Sequence, residues 1–109
     1  MYQRSNTAAR MTTDPIPAEG RLYAAILALK TPEEVRDFLA DLCTPAEIRA
    51  FIERLEVARL LDAGDLSYRQ IAEQAGASTT TVVRVARFLK EMPFRGYRRA
   101  LDRLKEPGQ

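Results

Sequence analysis

From Glu19 onward the apolar residues return every three or four positions, and nowhere do they alternate as a half-buried strand would require. Leu22, Ile26 and Leu29 mark one face of a helix over residues 19–30, and Val35, Phe38, Leu39 and Leu42 mark a second over 32–42. A longer stripe of Ile48, Phe51, Ile52, Leu55, Ala58 and Leu61, flanked by Val57 and Leu60, predicts a third helix over 45–63. Its apolar arc is wider than a one-faced surface helix needs, so it should be central and contacted from more than one side. Three shorter amphipathic segments, 67–75, 79–91 and 94–105, complete an all-α reading with six helices.

Local signals place the breaks. Thr31-Pro32-Glu33-Glu34 and Thr44-Pro45-Ala46-Glu47 each offer a capping hydroxyl, a proline in the first turn, and a glutamate three residues after the cap that can reach back to it. Gly64 follows the third helix where a left-handed cap is favoured. Residues 1–17 are polar, contain Arg4 and Arg10, and close on Pro15 and Pro17; they read as a flexible N-terminal arm ahead of a helical domain over 18–109. The two apolar N-terminal helices have little of their own chain to cover them, and a homodimer built on them would supply the cover.

The segment 67–91 has the residue pattern of a helix-turn-helix. Ala72 is small where the second helix crosses the first, Gly76 sits in the turn where a positive φ is needed, and Ile71, Ala75, Val82 and Val85 fill the wedge between the helices. Ser67 with Gln70 forms a capping box, and Ser78 can cap the second helix. At 100° per residue Val82, Val85, Ala86 and Leu89 share one side of that helix. Thr79, Thr80, Val83, Arg84 and Arg87 are left to read base edges. An arginine can fork onto guanine, and threonine or valine methyls can meet the thymine methyl. Ser67, Tyr68, Arg69, Ser78, Lys90 and Arg95, with Arg98 and Arg99 beyond them, are candidates for phosphate contact beside the groove. The bland counterpart is a packed helical hairpin whose arginines are merely solvated.

Charge supports the first reading. Residues 1–65 carry eight Lys/Arg against eleven Asp/Glu, whereas 66–109 carry nine against four, so the basic excess coincides with the helix-turn-helix and the C-terminal segment after it. The 109-residue chain has room for about one domain, and its 46% hydrophobic and 29% charged composition suits a folded protein. Histidine is absent, and the single cysteine, Cys43, lies in the apolar run DFLADLC, where it reads as a small buried hydrophobe. Neither a zinc cluster nor a histidine-dependent nucleophile can be assembled from these residues, so no metal, cofactor or enzymatic activity is expected. No apolar run approaches the eighteen or so residues needed to cross a bilayer, and a cytoplasmic location with no membrane partner is expected.

CTPAEIRAFIERLEVARLL and LSYRQIAEQAGASTTTVVRVARFL, strengthened by DFLADLCT and GYRRALDRL, resemble the Trp repressor superfamily, most nearly its Trp-repressor-like branch of the YerC/YecD type. The resemblance covers most of the chain after Leu22. It implies a six-helix, intertwined homodimer whose two helix-turn-helix heads enter successive major grooves of double-stranded DNA about 34 Å apart. It also implies a tryptophan site, for which Thr44, Arg54 and Arg84 match three positions. Two others do not match: Val85 stands where a glycine receives the indole, and Phe88 where a serine meets the amino group. Overpacking at such a position costs about 1–3 kcal/mol. Tryptophan sensing is therefore not expected, while Thr44, Arg54 and Arg84 leave a place for a different small effector; Arg54 and Arg84 could otherwise pair with carboxylates. The expected function is a sequence-specific transcriptional regulator. The alternative is a dimeric protein-interaction module whose helix-turn-helix serves packing alone.

Overall fold

The computed structural model describes residues 17–105, and within them the chain forms six α-helices and no strand: α1 (Pro17–Ala28), α2 (Pro32–Leu42), α3 (Pro45–Ala63), α4 (Tyr68–Ala75), α5 (Thr79–Lys90) and α6 (Gly96–Leu104). The chain divides between Leu42 and Cys43 into two compact units. The arm read over residues 1–17 lies outside the described residues except for Pro17, which opens α1.

In the first unit α1 is shifted two residues toward the N-terminus of the expected 19–30. Pro17 opens it because a proline needs no amide partner in the first turn. Its end comes early because the next helix claims the linker: Thr31 Oγ1 accepts from the Glu34 amide at 3.1 Å, and the Lys30 amide donates to the Glu34 carboxylate at 2.8 Å. Those two residues cap α2 and cannot extend α1. Neither helix buries a residue, and Leu22, Tyr23, Ile26 and Val35 all stay exposed.

The second unit holds the core. Thr44 and Glu47 close a full capping box at the start of α3, and Gly64 ends that helix with φ 80°, its amide donating to the Leu60 carbonyl. The C-terminal half of α3 buries Val57, Ala58, Leu60 and Leu61 against Ile71 and Ala72 of α4, Val82, Val85 and Ala86 of α5, and Leu101 of α6. Val57, Ile71, Val82 and Val85 are fully buried, each contributing about 1.5–3 kcal/mol of hydrophobic stabilisation. Helix α3 is central only in this half. Toward its N-terminus Phe51, Ile52 and Leu55 are exposed at 43%, 63% and 42%, because α4, α5 and α6 pack on its other end. Cys43, expected to be buried, is half-buried.

The helix-turn-helix forms as its residues predict. Ser67 and Gln70 make a capping box on α4, and Gly76 ends α4 with φ 69° and ψ 31°. A Cβ at Gly76 would meet no atom within 4 Å, so glycine is needed there for its backbone conformation and not for space. Ser78 then caps α5, accepting from the Thr81 amide at 3.1 Å. The sixth helix is shorter than the expected 94–105. Arg95 adopts φ 58°, ψ 27° as its cap, and a residue in that left-handed conformation cannot belong to the helix it precedes.

Candidate nucleic-acid interface

Helix α5 is anchored by one face and presents the other. With Val82, Val85 and Ala86 in the core, its other side exposes Thr80, Val83, Arg84 and Arg87, and its first turn exposes Thr79; these are the five residues read from the sequence as base-facing. Val83 is 56% exposed, so an apolar methyl pair stands in solvent between two threonines and two arginines. Among the described residues Arg84 pairs with no carboxylate. Its guanidinium lies 4.6 Å from the centroid of the Phe88 ring, one turn further along α5, which restrains a long side chain without satisfying its N–H donors. Among the described residues neither Arg87 nor Lys90 forms an ion pair, so the face is basic and uncompensated.

The flanking residues divide by what they are already bonded to. Ser67 Oγ accepts from the Gln70 amide at 3.1 Å and keeps its proton for an outside acceptor; Tyr68 and Arg69 beside it are exposed. Ser67, Arg69, Gln70 and Glu73 border an open polar depression of about 410 Å³. Ser78 is more committed, because its hydroxyl donates to Thr81 Oγ1 at 3.1 Å as well as accepting from the Thr81 amide. Lys90, Arg95 and Arg99 are exposed. Arg98 is a correction to the sequence reading. Its guanidinium forks onto both oxygens of Asp62 at 2.8 and 2.9 Å and also reaches Asp102 at 2.7 Å, tying α6 to the end of α3. Lys105 Nζ joins the same Asp62 at 2.6 Å, and these cations hold its carboxyl well below the usual carboxylate range. Nothing in the sequence marks a partner 36 residues away, so this tie is legible only in the folded chain.

The three residues matching the tryptophan positions are each engaged locally. Thr44 Oγ1 accepts from the Glu47 amide at 3.1 Å, Arg54 lies 5.4 Å over the Phe51 ring, and Arg84 lies over Phe88. Of the alternatives open for Arg54 and Arg84, pairing with a carboxylate does not occur among the described residues; both make aromatic contacts instead, at i,i+3 and i,i+4 spacings readable in the sequence. Val85 is 1% exposed, so its side chain occupies core space that a glycine would leave open. Among the described residues no group of three His, Cys, Asp or Glu side chains could hold a metal ion, and no helix is long and apolar enough to cross a membrane.

Residues 20–105 match the family model for the Trp repressor protein. The chain is 46% identical over 86 residues to the uncharacterised protein YerC of Bacillus subtilis (strain 168), covering 79% of this chain and 81% of YerC. A crystal structure of a TrpR-like protein from Eubacterium eligens ATCC 27750 superposes with a TM-score of 0.74 at 44% identity, covering 80% of this chain and 88% of that one. The crystal structure of a candidate Trp repressor from Staphylococcus aureus gives 0.75 at 40% identity, covering 80% and 85%. With a family match that reaches all six helices and relatives at these identities, the chain belongs to the Trp repressor family.

Proposed function

We propose that this protein is a sequence-specific, DNA-binding transcriptional regulator that reads the major groove through Thr79, Thr80, Val83, Arg84 and Arg87. Membership of the Trp repressor family points to a DNA-binding regulatory role and away from a catalytic one. The observation that carries the finer reading is the two-faced build of α5: its core face is locked by Val82, Val85 and Ala86, while the opposite face offers guanidinium donors and methyl groups to which no carboxylate of the described residues is bonded. A recognition helix needs that combination of a rigid base and unsatisfied donors. Ser67, Tyr68, Arg69, Lys90 and Arg95 set the register on the backbone, and Ser78 contributes mainly by capping α5.

The active unit in this reading is a homodimer. Support comes from the uncovered apolar side chains of α1 and α2 and of the N-terminal half of α3, where Ile26 is 48% exposed and Ile52 63%. Family membership points the same way. Regulation does not run through tryptophan, because Val85 and Phe88 fill positions where that ligand would need a bare backbone and a hydroxyl. A small effector of different shape, held by Thr44, Arg54 and Arg84, is compatible with the reading but has no contact in the structure that favours it.

Mobility shifts over a salt series test the proposal. With roughly three phosphates neutralised per subunit, log K should fall against log salt with a slope near −5. A flat response, or binding that survives Arg84→Ala with Arg87→Ala while a protein partner is lost, favours the interaction-module alternative.

A further inference from the structure

Helix α6 carries a second basic surface. Buried Leu101 faces the core, and on the opposite side Arg99 and Arg103 fall at i and i+4, with Arg95 at the left-handed cap just before the helix, all three exposed. The stems of Arg99 and Arg103 are about 6 Å apart along the axis at 1.5 Å per residue. Gly96 and Ala100 lie beside them, and with Arg99 and Arg103 they line a shallow trough of about 260 Å³ that no large side chain obstructs.

Two features separate this stripe from an ordinary solvated face. Its sign is unmixed: α2 and α3 intersperse acids with bases along their length and pair some of them, as Arg36 with Asp37 and Arg59 with Glu56. On α6 the one acid, Asp102, is bonded to Arg98 and so is withdrawn from the stripe. The arginines here also separate by role, with Arg98 held by Asp62 and Asp102, while Arg99 and Arg103 of the helix and Arg95 at its cap have no ion pair among the described residues. The Asp62 tie further places this helix beside the end of α3, five residues before Ser67, which opens the phosphate-facing start of α4.

We infer that Arg95, Arg99 and Arg103 form a rail for the phosphodiester backbone of duplex DNA, adding affinity that is indifferent to sequence. The inference rests on the DNA-binding reading above and deepens it by adding Arg103, removing Arg98, and joining Arg95, Arg99 and Arg103 into one continuous backbone contact. A row of unmixed positive charge beside the small Gly96 and Ala100 suits a regular polyanion, whose phosphates carry no sequence information.

The test compares the full chain with Arg99→Ala/Arg103→Ala and with Arg99→Lys/Arg103→Lys, on a mixed-sequence duplex and on a duplex selected from genomic fragments. The alanine pair should weaken both duplexes by the same factor, several-fold, and make the salt slope shallower by about 0.9 for each phosphate no longer neutralised. The preference for the selected duplex should not change, and the lysine pair, which keeps the charge, should keep the slope. An unchanged slope in the alanine pair, or weakening confined to the selected duplex, overturns the rail while leaving the reading of α5 intact. A wild-type chain with no salt-dependent DNA binding overturns both.

Discussion

The Arg84 guanidinium stacks over the Phe88 ring at 4.6 Å, an exposed side chain and a half-buried one, one turn apart on α5. The ring limits where the guanidinium can point while leaving its N–H fork unbonded, so less conformational freedom is lost when it meets a base. Arg84→Lys keeps the charge but loses both the fork and the stacking. It should cost about 1–3 kcal/mol on the preferred duplex and much less on a mixed-sequence one. Fluorescence-anisotropy titrations of the two duplexes give that difference directly.

The fork of Arg98 onto Asp62 joins α6 to α3 and carries a pH signature. The folded-state pKa of Asp62 is lowered, chiefly by its hydrogen bonds to Arg98 and Lys105. A depressed carboxylate contributes stability that is fully present above its unfolded value, about 3.9, and is lost as pH falls from there through the folded one. Asp62→Asn should therefore melt below wild type at neutral pH, with the gap narrowing below about pH 4. Thermal melts from neutral to acid check it; a gap independent of pH would show that the tie contributes packing and not charge.

Gly76→Ala should destabilise the chain by about 1–2 kcal/mol, the cost of a Cβ in a left-handed conformation, because the site has φ 69° and no steric neighbour. Urea denaturation should show a lower midpoint with an unchanged slope.

Tryptophan should not raise the melting temperature of the wild-type chain. Ligand that binds only the folded state stabilises it by mass action, so saturating tryptophan without a shift means no folded-state site. Val85, 1% exposed in the core, is the reason to expect silence.

Where residues act on their immediate neighbours, the structure was readable from the chain. Thr44 with Glu47, Ser67 with Gln70, and the left-handed glycines 64 and 76 set the bounds of α3 and α4 with little help from tertiary contacts. Two ends were displaced where neighbouring segments compete. The cap of α2 takes Lys30 and Thr31 from α1, and Arg95 adopts a conformation that its residue type does not advertise. The exposed face of α5 was legible because helical periodicity alone separates it from Val82 and Val85. The role of Arg98 was not, since its partner Asp62 is brought close only by folding. The aromatic contacts of Arg54 and Arg84 lay within local spacing, but guanidiniums choose between rings and carboxylates by geometry that the sequence does not give.

The most direct trial of the account is methylation interference at guanine N7, an atom that faces the major groove, on a genomic fragment selected by the wild-type protein. The account predicts two clusters of interference about one helical turn apart, both lost in Arg84→Ala/Arg87→Ala. Interference that is absent, or that persists unchanged in the double variant, would contradict the assignment of α5 as the element that reads DNA.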